Sequence, residues 1–161
     1  MIEIRCDERW EALINKSELQ KILTVFLKHL FKEKCGISIF LANDDVIHKL
    51  NKSFRGKDYP TDILSWAYND DQGVFESKMI DAEIGHLENI NLAGELVLSE
   101  ERVRLQASEN GWDFETELIR LLAHGCAHLA GWDHERSLEE SREMLVLEIE
   151  LLNEVGLTNI Y

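Results

Sequence analysis

Apolar and polar residues alternate over residues 2–6, IEIRC, which predicts a strand. The period then lengthens. Leu19, Ile22, Leu23, Phe26, Leu27, Leu30 and Phe31 recur at helical spacing. Ser17 with Gln20 supplies a capping-box pattern in front of that stripe, and Gly36 is its expected stop. The short Ile-rich run ISIFLA, 37–42, reads as a buried strand. Asn43 is placed to cap a helix from Asp44 to about Ser53, with Val46, Ile47 and Leu50 facing inward.

From Phe54 the pattern changes. Gly56 and Pro60, the chain's single proline, mark an ordered turn. TDILSWAY then alternates as a strand, with Ile63, Ser65 and Ala67 on one face and Leu64, Trp66 and Tyr68 on the other. Residues 69–91 are polar and aperiodic, containing Gly73 and Gly85, and read as a hairpin or flexible loop. LAGELVLS, 92–99, returns to a strand pattern, and Ser99 is placed to cap a helix through about Asn110, ended by Gly111. Asp113 is the expected cap of a helix carrying Phe114, Leu118, Leu121 and Leu122, then His124 and His128. Ser137 with Glu140 opens a last helix carrying Leu145, Leu147, Ile149, Leu151 and Leu152, closed by Gly156, with its acidic positions forming a solvated face. The expectation is one α+β domain over residues 1–161. It has a mixed sheet of about four strands, about five helices, and the histidine-bearing helix buried at the centre.

Composition narrows the class. A chain of 161 residues suits one domain with a real core. Hydrophobic residues at 45% and charged residues at 30% are an ordinary balance for a water-soluble protein. No apolar run approaches the roughly 20 residues a membrane span needs. The opening MIEIRCDERW lacks a basic region followed by an apolar one, so no secretory signal is expected. Cys6, Cys35 and Cys126 are odd in number and form no C-x-x-C, which suits free thiols in a reducing cytoplasm. Cys126, two residues after His124, points away from it and is expected to pack. The net charge of −14 argues against indiscriminate binding to nucleic acid. The charge is uneven, however: Lys16–Lys57 carries a net +5 and the remainder −19. Lys21, Lys28 and Lys32 fall on one outer helix face. Such a segment suits contact with a polyanion, and on charge alone a solvated helix face is at least as good a reading.

The chemistry concentrates in HGCAHLAGWDH, 124–134, which holds three of the six histidines. His124 and His128, four apart, lie within roughly 40° of each other around a helix. Gly131 is placed to end that helix in the left-handed conformation, letting His134 return to the same point. Three imidazoles with a fourth position open describe a catalytic rather than a structural zinc site. The spacing H-x-x-x-H-x-x-G-x-x-H is shared with metzincin proteases, but their general-base Glu after the first His is here Gly125. Asp133 is placed either to orient a ligand histidine or to cap the turn.

Three segments carry a resemblance to a known family. FRGKDYPTDILSW, 54–66, resembles an Arg-containing turn followed by P-T-D-V-L-S-F. AGELVLS, 93–99, resembles L-G-D-I-V-I-S, with Glu95 where Asp is usual. HGCAHLAGWDH resembles H-G-x-L-H-L-x-G-Y-D-H. In order and spacing these are similar to the YbeY family of rRNA-maturation metallo-endoribonucleases. The resemblance implies one zinc ion per chain held by His124, His128 and His134, and an essential arginine at Arg55. It also implies cleavage of single-stranded RNA in small-subunit rRNA 3′-end maturation and ribosome quality control. The implied partners are single-stranded or ribosomal RNA and the small ribosomal subunit with its assembly factors. Such chemistry suits the residues, since zinc activates water or polarises a phosphoryl oxygen and a guanidinium forks onto phosphate oxygens. Two other readings remain open: an assembly factor whose zinc is mainly structural, and a metal-dependent hydrolase of another substrate, including a divergent metalloprotease.

Overall fold

The computed structural model describes residues 2–68 and 92–161; the hairpin or loop expected over 69–91 lies outside them. The elements in chain order are β1 (Ile2–Cys6), α1 (Glu8–Glu11), α2 (Lys16–Leu30), β2 (Gly36–Ala42), α3 (Asp44–Arg55), β3 (Ile63–Ala67), β4 (Leu92–Ser99), α4 (Glu100–Asn110), α5 (Phe114–Leu129) and α6 (Leu138–Glu154). This is the expected α+β arrangement, with the short helix α1 added. The strands form one sheet in the order β1-β2-β4-β3. β1 pairs β2 and β2 pairs β4 in parallel, whereas β3 runs antiparallel to β4. The sheet is therefore mixed, with β1 and β3 at its two edges.

Both faces of the sheet are covered, and strand alternation sorts the side chains between them. Ile37, Ile39 and Leu41 of β2 and Leu96 and Leu98 of β4 face the larger core, built with Leu23 and Phe26 of α2, Leu118, Leu121 and Leu122 of α5, and Leu151 and Leu152 of α6. The opposite face packs Ala42, Leu64, Trp66 and Val97 against Ile47 of α3. Trp10 of α1 is fully buried, and its indole N–H donates to the Ala42 carbonyl at 2.7 Å, closing one end of the core. The interior of the molecule is thus a sheet sandwiched between α3 and the α2–α5–α6 layer.

Several caps fall where the sequence places them. Asn43 accepts from the Val46 N–H at 3.0 Å, Asp113 from Thr116 at 2.8 Å, and Ser137 from Glu140 at 3.0 Å. Others differ. The N-cap of α2 is Asn15, which accepts from Glu18 N–H at 3.2 Å, so the Ser17–Gln20 box is not used. α2 ends at Leu30 with Phe31 already extended, and Gly36 instead begins β2. Ser99 sits at the N-cap of α4 but donates its hydroxyl to Asp44 rather than capping. Only half of the Ser137–Glu140 box forms, because the Glu140 carboxylate accepts from Asp133 N–H at 3.2 Å and pairs with Arg136 at 2.9 Å. On α6 the buried positions are Met144, Glu148, Leu151 and Leu152, while Leu145 is exposed.

Candidate active site

The site begins with the burial of α5. Leu118, Leu121, Leu122, Ala123, Cys126 and Ala127 are at most 1% exposed, so the helix runs through the interior and its ends are fixed. It crosses the sheet at Gly125. A Cβ there would lie 2.7 Å from Ile63 Cδ1 and 2.9 Å from Leu96 Cδ2. The position where the metzincin sequence carries its Glu therefore faces the packed sheet and has no room for a side chain unless these neighbours shift. After Leu129 the helix closes in a Schellman motif: Gly131 N–H bonds the His128 carbonyl at 3.0 Å and Trp132 N–H bonds the Ala127 carbonyl at 3.1 Å. Gly131 takes φ 101°, in the left-handed region that glycine enters cheaply. That turn brings His134 back over the last turns of α5.

The three imidazoles converge. Ring centroids lie 4.6 Å apart for His124 and His128, and 5.3 Å from His134 to each. One nitrogen from each falls within 4.8 Å of the others. The partners of the remaining nitrogens orient the rings. His128 Nδ1–H donates to the Trp132 carbonyl at 2.8 Å, an acceptor placed there by the Schellman turn itself. His124 Nδ1–H donates to the carboxylate of Glu148 on α6. In the neutral rings the Nε2 atoms then carry the lone pairs, and they face each other at 3.1 Å. Two bare lone pairs at that distance repel unless a proton or cation lies between them. A tetrahedral zinc with bonds of 2.0–2.1 Å sets its nitrogens about 3.3 Å apart, so this donor set fits a metal ion. Burial, reinforced by the other two imidazoles, holds the His128 pKa below its ordinary value and keeps the ring neutral, as ligation requires.

Glu148 is the residue that sequence reasoning missed. It lies on the helix whose acidic positions the sequence pattern assigns to a solvated face, yet it is 5% exposed and sits directly behind His124. Its signal was its register with Met144, Leu151 and Leu152, which places it on the buried face of α6. Asp133 does not take this role. Its carboxylate accepts from Glu135 N–H at 2.9 Å and lies 3.7 Å from Arg136, so it caps the turn, and the Glu135 bond holds its pKa below the usual carboxylate range. Cys126 packs into the core behind the motif, and burial pushes its thiol up to about 12.

The histidines open into a cleft of about 680 Å³ that is also lined by Arg55, Lys57 and the strand β3. Arg55 is the last residue of α3 rather than part of the turn after it. Gly56 follows at φ 67°, with its N–H on Lys52 O and Lys57 N–H on Asn51 O, both at 3.2 Å. Asn51, itself buried, also donates to the Tyr59 carbonyl at 2.8 Å. The turn is therefore tied to α3, and Arg55 stands on an ordered base beside the cleft. At the start of β3, Asp62 accepts from Ile63 N–H at 2.7 Å and from Gln106 at 3.2 Å, fixing the strand that forms the wall. Glu95, buried on β4, accepts the Tyr68 hydroxyl at 2.7 Å on the other side of the sheet.

Fold and site together define an α+β protein with a three-histidine, metal-competent centre at the floor of a cleft walled by an edge strand and an arginine. The comparisons with known proteins refine that class. The sequence model described as endoribonuclease YbeY matches residues 4–156. Relatives named endoribonuclease YbeY include one from Shouchella clausii, 34% identical over 98% of this chain and 97% of its own length. Another from Persephonella marina is 33% identical over 92% and 88%, and one from Bacillus subtilis is 36% identical over 78% and 76%. A Thermotoga maritima protein with a solution structure superposes at a TM-score of 0.57, with 26% identity over 96% of this chain and 91% of that one. The chain belongs to the endoribonuclease YbeY family, which places it among the enzymes that cut RNA phosphodiester bonds. Among the described residues no helix is long and apolar enough to cross a membrane.

Proposed function

We propose that the chain is a zinc-dependent, single-strand-specific endoribonuclease of the cytoplasm, acting as one domain over residues 1–161. Its substrate is ribosomal RNA, in 3′-end maturation of the small-subunit rRNA and in ribosome quality control, with the small subunit and its assembly factors as partners. The observation that carries this reading is the three-histidine centre sharing one cleft with Arg55 in a chain of this family. His124, His128 and His134 would hold one zinc ion. When bound, zinc would activate water for attack on phosphorus and neutralise developing charge on a phosphoryl oxygen. Glu148 and the Trp132 carbonyl hold two of the rings with Nε2 inward. Arg55 supplies a planar fork of donors for the non-bridging oxygens of the scissile phosphate, where negative charge builds in the transition state. The metalloprotease reading is disfavoured by Gly125, which faces Ile63 and Leu96 and offers no carboxylate.

The test is single-turnover cleavage of a single-stranded oligonucleotide by metal-replete protein, beside zinc content and thermal unfolding. Arg55→Ala is expected to keep its zinc and Tm while losing cleavage by about 10²-fold or more, as when an oxyanion donor is removed. Arg55→Lys should restore only part, since an ammonium keeps the charge without the bidentate geometry. Undiminished cleavage by Arg55→Ala removes the residue from the mechanism. Cleavage that survives equally in a His128→Ala preparation marks a contaminating nuclease and favours the assembly-factor reading.

A further inference from the structure

The basic stretch Lys16–Lys57 is divided by the fold into two poles. Arg55 and Lys57 line the histidine cleft, beside the edge strand β3. Lys52 lies 3.9 Å from Asp58, and Lys21 pairs with Glu18 at 3.4 Å. Lys28, Lys32 and Lys34 gather instead around a second groove of about 600 Å³, between the end of α2, the loop after it and the start of β1. Among the described residues β1 and β3 are opposite edges of the four-stranded sheet, three strand spacings or about 14 Å apart, and the groove and the cleft share none of them.

We propose that this groove is a second, non-catalytic binding site for single-stranded RNA, which grips the substrate strand outside the cleft. The proposal rests on the endoribonuclease reading and deepens it. Among the described residues three lysines line the groove with one acid, Glu33, on a chain whose net charge is −14. Among the described residues neither Lys28 nor Lys32 has an ion-pair partner, and both are exposed. Ile2, Leu27 and Phe31 give the same groove an apolar lining. Lysines beside an apolar, partly aromatic lining match a single strand, whose phosphates would meet the lysines while a base stacks on the Phe31 ring. A duplex hides its base faces and gains nothing from that lining, so the observations favour a single strand. An acidic protein without a second grip would repel the long RNA it must hold, and this groove supplies the local attraction.

The experiment compares metal-replete wild type with Lys28→Gln/Lys32→Gln, both exposed positions whose replacement leaves the core intact. Binding of a long oligouridine is followed by fluorescence anisotropy across a salt series, and cleavage of a short oligonucleotide that fills only the cleft is measured in parallel. Losing two phosphate contacts on a single strand should flatten the log–log salt slope by about 1.4. It should weaken binding by about 25-fold at 0.1 M salt, with the difference vanishing towards 1 M. Cleavage of the short oligonucleotide should be unchanged. Unchanged oligouridine affinity and slope overturn the proposal. If that affinity holds while binding to isolated small subunits falls, the groove meets the folded subunit rather than a single strand and the proposal is equally overturned. If wild type fails to cleave the short substrate yet the variant still loses oligouridine binding, the groove stands and the catalytic reading falls.

Discussion

Replacing Glu148 by alanine removes the carboxylate behind His124 while leaving all three histidines in place. The side chain reaches His124 from α6, a separate helix, and is 5% exposed. Its effect on the metal acts through the tautomer and orientation of one ring. Without the acceptor, the proton of His124 is free to move to Nε2, the nitrogen that faces His128 at 3.1 Å, and the lone pair there is lost. His128 keeps its own tether to the Trp132 carbonyl, so only one of the two fixed rings is released. Losing such a supporting partner costs about 10- to 100-fold in metal affinity, which corresponds to about 1.4–2.7 kcal/mol. Glu148→Gln keeps an acceptor oxygen and loses only the charge, and should fall between wild type and alanine. The assay is competition for zinc against a chromophoric chelator at neutral pH, supported by the visible spectrum of the cobalt-loaded protein, which reports ligand geometry. Wild-type zinc affinity in Glu148→Ala, with circular dichroism and urea unfolding intact, would refute the reasoning. Should the alanine variant unfold, the near-isosteric glutamine variant carries the test.

Three further outcomes follow from the same geometry. Gly125→Ala places a Cβ within 3 Å of Ile63 and Leu96; overpacking costs about 1–3 kcal/mol and alanine's helix preference returns up to about 1 kcal/mol, so Tm should fall by several degrees, and a Tm at or above wild type would show that those side chains give way freely. Cys126, with its thiol pushed up to about 12 by complete burial, should resist a thiol reagent in mildly alkaline native protein and react only once urea unfolds the chain, with peptide mapping distinguishing it from Cys6 and Cys35. Metal affinity should fall on acidification, because protons compete for imidazole, and burial delays the protonation of the His128 ring itself to below the ordinary value of about 6.5. A metal-binding curve that stays flat from about pH 8 to 5 would contradict ligation by the histidines.

Much of this protein is local and could be read along the chain. Strand alternation placed β4 at Leu92–Ser99, and the caps Asn43, Asp113 and Ser137 fixed the starts of three helices. The histidine spacing with Gly131 gave the centre itself, because one helix and one left-handed turn suffice to bring His124, His128 and His134 together. Where local signals competed, the sequence misled: Asn15 won the cap of α2 from Ser17, two residues away, and α2 stopped at Leu30 without waiting for Gly36. The tertiary structure alone decided what meets across elements. Glu148 lies 24 residues from His124, and whether it is solvated or buried depends on which face α6 turns towards α5. The lysines of one basic stretch part company because α2 packs at the β1 edge while α3 ends at the β3 edge. Hydrogen-bonding spacing and helical period are properties of neighbouring residues; the packing of one helix on another is set by the fit of all the core side chains between them, and no stretch of sequence contains it.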